Sequence, residues 1–361
     1  MPPAPRLEIR LDRIRHNART LVERLGAKGV GVTGVTKATL GSPEVARELL
    51  RAGVRAIGES RVENVERLRV AGIDAPITLI RSPMASQVDR VVASADVSLN
   101  TELEVLEALS EAAGRQHRAH GVVLMVELGD LREGIMPPDL DELAARTLRL
   151  PNLRLRGIGT NLACQSGVVP DEAKMAELSV LAAGLEERHG LALAVVSGGN
   201  SANLDWALGP HDVGRIDDLR LGESILLGRE PLQRTPLPGL HTDAFTLVAE
   251  VIEAKVKPTR PWGAVEQTAF GAVAPATDTG LTTRVILALG RQDVDPAGLT
   301  PPPGLTILGA SSDHLVLDAG PGPVTVGSEV RFEVDYAALL RAMTSPFVAR
   351  RFLRGPADQH P

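Results

Sequence analysis

Lys37 ends a run rich in valine, "VTGVTKATLG" (residues 32–41). Such a run reads as a buried parallel strand giving way to a loop at its carboxyl end, so the ammonium is expected at a strand tip. Alone, a lysine there snorkels its charge into water. Among anion-binding loops it can instead lose its proton and attack a carbonyl to form a Schiff base. Polar residues of the right kind end the later apolar runs: "GESRVEN", Arg81, Asn100, Arg132 in "ELGDLREG", Asn161 in "GTNLAC", "SGGNSANL" and Arg220. Singly, Asn and Ser cap the next helix, and Arg132 pairs with Glu127 or Asp130. Together they point at one mouth.

Two of these tips read as an anion cradle. "SGGNSANL" sets glycines, Asn200 and Ser201 where a strand gives way to a helix, so free N–H groups and a hydroxyl can grip phosphate. "RLGESILLG" supplies a second turn, with Gly222 letting the backbone of Gly222, Glu223 and Ser224 approach closely. Neither is a Walker loop or a GxGxxG fingerprint. A lysine on the first strand facing phosphate turns on the last two answers the needs of pyridoxal 5'-phosphate, for which the protein supplies a lysine, a phosphate grip and electronic tuning.

The elements that must carry these residues emerge from periodicity. Between residue 30 and about 230, apolar runs alternate with amphipathic segments: "GVGVTGVT", "RAIGE", "PITLI", "ADVSL", "GVVLMVEL", "LRLRGIGT", "LALAVVSGG" and "LRLGESI". About eight βα units predict an α/β fold, a (β/α)8 TIM-type barrel. "SPEVARELLRAG" predicts a helix capped by Ser42, with Pro43 first and Gly53 past its end. After "LLGREPLQRTPLPGLHTDAF" the rhythm becomes period-two strands between Gly/Pro turns: "FTLVAEVIEAKVKP", "TRVILALG", "LTILGA", "HLVLDAG" and "SEVRFEVDY". Two domains are expected, a barrel over residues 1–235 and a C-terminal β-domain over 236–361, with the boundary in the region 231–243.

The chain has 361 residues, 43% of them hydrophobic and 23% charged, ample for a core. A net charge of −6 without a basic run, and 2% aromatics, argue against nucleic acid as a partner. One cysteine, Cys164, makes no internal disulfide, and no CxxC or HExxH pattern points to a metal. No apolar run is long enough to span a bilayer and the N-terminus lacks a signal peptide's apolar core, so a cytoplasmic protein is expected, disordered only at "GPADQHP".

The ordered motifs "VTKATLGSPEVARELLRAGVRAIGESRVENVERLR", "GDLREGI", "GIGTNLAC", "SGGNSANL", "LRLGESILLGRE", "LALGRQDVD" and "LGASSDHLVLD" resemble the alanine racemase fold family of pyridoxal-phosphate enzymes, its alanine/ornithine racemase branch above all. The resemblance spans nearly the whole chain. It implies a barrel and β-domain that work as a homodimer, each β-domain completing the partner's site. Lys37 matches the lysine that holds the cofactor and moves the Cα proton on one face. Ser201, and Gly222 with Glu223 and Ser224, match the phosphate site; Asn161 and Asn200 accompany them. Arg220 matches the arginine facing the pyridine nitrogen, and Arg132 one near the cofactor's hydroxyl.

One position departs from the family. Its second acid/base is a tyrosine in a Tyr-Gly pair, and here Phe270 precedes Gly271. Asp313 and His314, in the loop that the resemblance carries to the partner's site, are the expected replacement; an Asp desolvated there could be raised toward neutrality. Cys164 and Tyr336 stand behind them, a buried structural cysteine and an edge-of-core tyrosine being the plainer readings. The resemblance implies racemisation of an amino acid, with ornithine or lysine favoured over alanine, serine or a broad range. Glu127, Asp130 and Asp212 are the carboxylates available to meet a basic side chain. A decarboxylase, an aldolase or dehydratase of the same fold, or a non-catalytic pyridoxal-phosphate regulator are the alternatives; the zinc-using members carry a His–Cys pair near the C-terminus, where this chain has only His360.

Overall fold

The computed structural model describes residues 3–210, 212–271, 277–320 and 324–355. The tail with His360 lies outside them. These residues divide into two compact units, 12–242 and 1–11 with 243–361.

In the first unit, eight described strands close a parallel barrel in chain order: β2 (Gly31–Val35), β3 (Ala56–Glu59), β4 (Ile77–Leu79), β5 (Val97–Asn100), β6 (His120–Val126), β7 (Leu153–Thr160), β8 (Val195–Ser197) and β9 (Asp218–Leu221). β2 pairs β9 to complete the ring, with Thr33 opposite Arg220. Leu99, Val123 and Met125 pack with Val97, Val195 and Ile80; side chains from β5, β6 and β8 can meet only inside the barrel. Gly157 lets β7 and β8 close on each other, since a Cβ there would sit 1.7 Å from the Val195 carbonyl. Helices separate the strands: α1 (Leu11–Gly26), α2 (Pro43–Arg51), α3 (Val62–Val70), α4 (Val88–Ser94), α5 (Leu103–Arg115), α6 (Leu140–Leu148), α7 (Glu172–His189), α8 (Leu204–Leu208) and α9 (Glu223–Leu227). Ser42 caps α2 by accepting from the Val45 N–H, as its sequence predicts.

Several expected strands are shorter than their apolar runs, two of them markedly. "LALAVVSGG" is strand only over Val195–Ser197, and "LRLGESI" stops at Leu221 because Gly222 caps α9. Residues on the outward face of the strands carry polar packing. His120 Nε2 meets Ser98 Oγ at 2.9 Å, and Asn100 Nδ2 donates to that hydroxyl. Burial holds the His120 imidazole down at about 4, so it is neutral near pH 7.

Among its described residues, the second unit is an eight-stranded sheet. β1 (Arg6–Arg10) opens the chain; β10 (Phe245–Pro258), β11 (Leu281–Leu287), β12 (Leu299–Thr300), β13 (Thr306–Ala310), β14 (Leu315–Asp318), β15 (Glu329–Val334), α10 (Tyr336–Thr344) and β16 (Ala349–Leu353) come after the barrel in sequence. The strand order is β12-β15-β10-β11-β14-β13, and β1 pairs antiparallel with β10 and parallel with β16. The expectation that residues 1–235 form the barrel is therefore corrected: the first strand belongs to the β-unit, and the division falls at 242/243. "RLEIR" buries Leu7 and Ile9 completely, and a closed barrel has no strand edge to receive it. Arg6, 2% exposed, pairs with Glu8 at 3.0 Å and with Glu329 at 2.6 Å, which satisfies its charge inside the sheet.

Candidate active site

Lys37 begins a single helical turn, Lys37–Thr39, directly after β2. The preceding residue anchors it. Thr36 is fully buried, its N–H donates to the Gly58 carbonyl, and its hydroxyl donates to Glu59 Oε2 at 3.0 Å. Glu59, buried at the end of β3, also accepts from Ser60 N and Asn64 Nδ2. Burial raises its carboxyl above the usual range against those donors. The Lys37 ammonium makes no hydrogen bond or ion pair with another described residue.

The turns after β8 and β9 lie beside this one. Ser201 and Ser224 are buried with their hydroxyls 3.0 Å apart, and the Ser224 N–H donates to Ser201 Oγ at 3.2 Å. A Cβ on Gly222 would stand 3.2 Å from Val35 Cβ, so only glycine leaves this approach to β2 relaxed. Glu223 opens α9 between them.

Arg220 reaches inward from β9. Its NH1 donates to Ser197 Oγ at 2.5 Å, and its NH2 donates to the Thr160 carbonyl at 2.7 Å and to Asn161 Oδ1 at 3.4 Å. Asn161 Oδ1 also accepts from Asn200 Nδ2 at 3.1 Å, which fixes the amide so that Asn161 Nδ2 is left buried without a partner. Burial pulls the Arg220 guanidinium below its usual range; Asp218, Cys164 and Glu133 oppose this and Arg132 adds to it. Arg132 itself pairs with Glu133, not with Glu127 or Asp130.

The carboxylates expected to meet a basic side chain are otherwise engaged. Asp130 accepts from the backbone N–H groups of Cys164, Gln165, Ser166 and Val168, clasping the loop after β7. Burial would raise it, but those donors hold it below the usual carboxylate range. Glu127 accepts from Gly129 and Leu131, and Asp212 is exposed and caps Gly214. Glu133, passed over in sequence as a neighbour of Arg132, is the carboxylate that acts on Arg220 from the Arg132 side. Cys164 is exposed, contrary to the plainer reading of a buried cysteine, with Asn200 Nδ2 3.4 Å from its sulfur.

Asp313 and His314 lie in the other unit and are not desolvated within it: their side chains are 63% and 45% exposed. His314 Nδ1 meets Asp313 Oδ1 at 2.8 Å, and this contact lowers the carboxyl instead of raising it. Phe270 is half exposed under the Arg291 guanidinium, 4.8 Å from its ring centre, and Tyr336 starts α10.

Beside this partly buried lysine turn, the paired serine turns and the all-donor inward arginine, residues 9–230 match the family described as alanine racemase, N-terminal domain. This chain belongs to the alanine racemase family. Its relatives include a lysine racemase of Thermotoga maritima, 39% identical over 96% of this chain and 98% of that protein. An ornithine racemase of Acetoanaerobium sticklandii is 36% identical over 97% and 99%. Among solved structures, alanine racemase from D-cycloserine producing Streptomyces lavendulae superposes with a TM-score of 0.77 at 18% identity, covering 100% of both chains. A D-threonine aldolase from Filomicrobium marinum superposes at 0.75, 16% identity, over 98% and 92%. The fold is shared by proteins of more than one reaction, so the fold alone does not choose the chemistry. Among the described residues of this family member, no helix is long and apolar enough to cross a membrane.

Proposed function

We propose that the protein is a pyridoxal-phosphate-dependent racemase of a basic amino acid, ornithine or lysine. The observation that carries this reading is relatedness at 36–39% identity over nearly the full length of a lysine and an ornithine racemase. The residues present fit the cofactor. Asn161 Nδ2 is a buried donor awaiting an acceptor. Arg220 offers only donors where the ring nitrogen is to be met, and the Ser201 and Ser224 hydroxyls with the backbone of Gly222 and Glu223 offer donors to a phosphate, while Asn200 shapes the turn by giving its amide to Asn161 and Leu162. Arg132 would stand near the cofactor's hydroxyl.

When bound, pyridoxal 5'-phosphate supplies the aldehyde that captures the amino group and the electron sink that makes Cα–H acidic. Lys37 holds the cofactor and moves the Cα proton on one face. Arg220 keeps the ring nitrogen unprotonated, because a guanidinium has no lone pair to accept its proton. The other face requires a second acid/base, and Asp313 with His314 supplies it from the β-unit of a second subunit in a homodimer.

The test is a chiral assay of purified protein with L-ornithine, L-lysine, L-alanine and L-serine. D-ornithine or D-lysine should accumulate to a racemic mixture, and Lys37→Ala should lose both this and a borohydride-reducible lysine adduct. Turnover confined to alanine or serine, or release of carbon dioxide, would refute the assignment.

A further inference from the structure

Beneath Arg220 lies a charge that the proposed chemistry leaves unused. Asp218, two residues earlier on β9, is 8% exposed and points to the same side of the strand. Both its carboxylate oxygens are held: Thr33 Oγ1 donates to Oδ1 at 2.7 Å and Ser197 Oγ to Oδ2 at 2.6 Å. Ser197 has one proton. Because its oxygen accepts from Arg220 NH1 at 2.5 Å, that proton must go to Asp218, and the polarity of the chain runs from Arg220 through Ser197 to Asp218.

A buried guanidinium without a counter-charge is costly, and no carboxylate touches Arg220 directly among the described residues. Asp218 is the anion one hydroxyl away. The other titratable or charged groups that act on Arg220 are Glu133, Cys164 and Arg132, toward the barrel mouth. We propose that Asp218, through Ser197, is a positioning residue for Arg220: it balances the guanidinium's charge from below and fixes the plane it presents upward. Thr33 pins the second oxygen. The inference rests on Arg220 as the partner of the cofactor's ring nitrogen.

Asp218→Asn isolates the charge, since an amide can keep its oxygen toward Ser197 and turn its NH2 to the Thr33 hydroxyl. Ser197→Ala isolates the relay. In the holoprotein, removing the anion leaves Arg220 unbalanced beside the cofactor. The pH midpoint of the bound cofactor's visible absorbance should then fall by about one unit in Asp218→Asn, as for loss of one nearby charge, and in the same direction in Ser197→Ala. Arg220→Ala should raise it, and Asp218→Asn should add nothing in that background. If Arg220→Ala moves the midpoint while neither Asp218→Asn nor Ser197→Ala does, the inference is overturned and the reading of Arg220 stands. If Arg220→Ala leaves it unchanged, both fall. In the cofactor-free protein, urea unfolding of Asp218→Asn, Arg220→Ala and the double variant should be non-additive, the double costing less than the sum, because the second change removes the charge orphaned by the first. Additive losses there would overturn the pairing even if a variant failed to bind cofactor.

Discussion

Asp313 and His314 show how much one hydrogen bond decides at the scale of the residue. A carboxylate at 2.8 Å from Nδ1 makes that nitrogen the donor, which leaves His314 Nε2 to take or give a proton and makes Asp313 its orienting partner. Asp313 therefore need not be desolvated to matter. His314→Gln should leave cofactor absorbance intact and make the enzyme one-sided: deuterium still washes into one enantiomer through Lys37, while interconversion falls by ~10²–10⁴. Asp313→Asn should cost less, since the imidazole remains. Near-normal racemisation by both variants and by their double would remove this loop from the reaction and turn attention to Cys164 or Tyr336.

At the scale of the element, strand tips work because the outward face of each strand is bound to what lies behind it. Glu59 ties the end of β3 to Thr36, the residue before Lys37, and Asp130 ties the loop after β6 to the loop after β7. His120, at the start of β6, shows the thermodynamic side of such packing. Its folded-state value of about 4 lies below the ordinary 6.5, so between those values the unfolded chain binds the proton and the folded one does not. Stability of the barrel unit should be unaffected above pH 6.5, fall as pH drops through that window, and be lower by about 3 kcal/mol below pH 4. Urea unfolding monitored from pH 7.5 to 4 checks this, with His120→Gln expected to remove that component of the slope. An unchanged slope would show that His120 accepts its proton in the folded barrel.

At the scale of the whole molecule, Lys37 belongs to one unit and the Asp313–His314 pair to the other. The proposed homodimer, with each β-unit serving the partner's barrel, makes the two separable by genetics. Mixing Lys37→Ala chains with Asp313→Asn/His314→Gln chains should restore activity, to at most about a quarter of wild type, because half the dimers are mixed and one of their two sites is intact. Absence of recovery after verified subunit exchange would place both groups of a site in one chain.

Much of this was legible in the sequence alone. Apolar runs ending in Lys37, Asn161 and Asn200 mark strand tips because a parallel strand buried on both faces is mostly apolar until it leaves the barrel; Arg220 sits one residue before the end of β9. The period-two strands of the β-unit arise from side chains alternating across a sheet. Local pattern does not report partners, and the rest depended on them. "RLEIR" is too short to declare its sheet, and only pairing with β10 and β16 places it in the β-unit. Asp130 and Glu127 look available in sequence, yet backbone N–H groups take their oxygens. Asp218 reads as one of two adjacent aspartates before a strand. It becomes the counter-charge of Arg220 only because barrel closure brings Thr33 of β2 and Ser197 of β8 to either side of it, and direct contact in a low-dielectric interior, not distance along the chain, decides which charges act on one another.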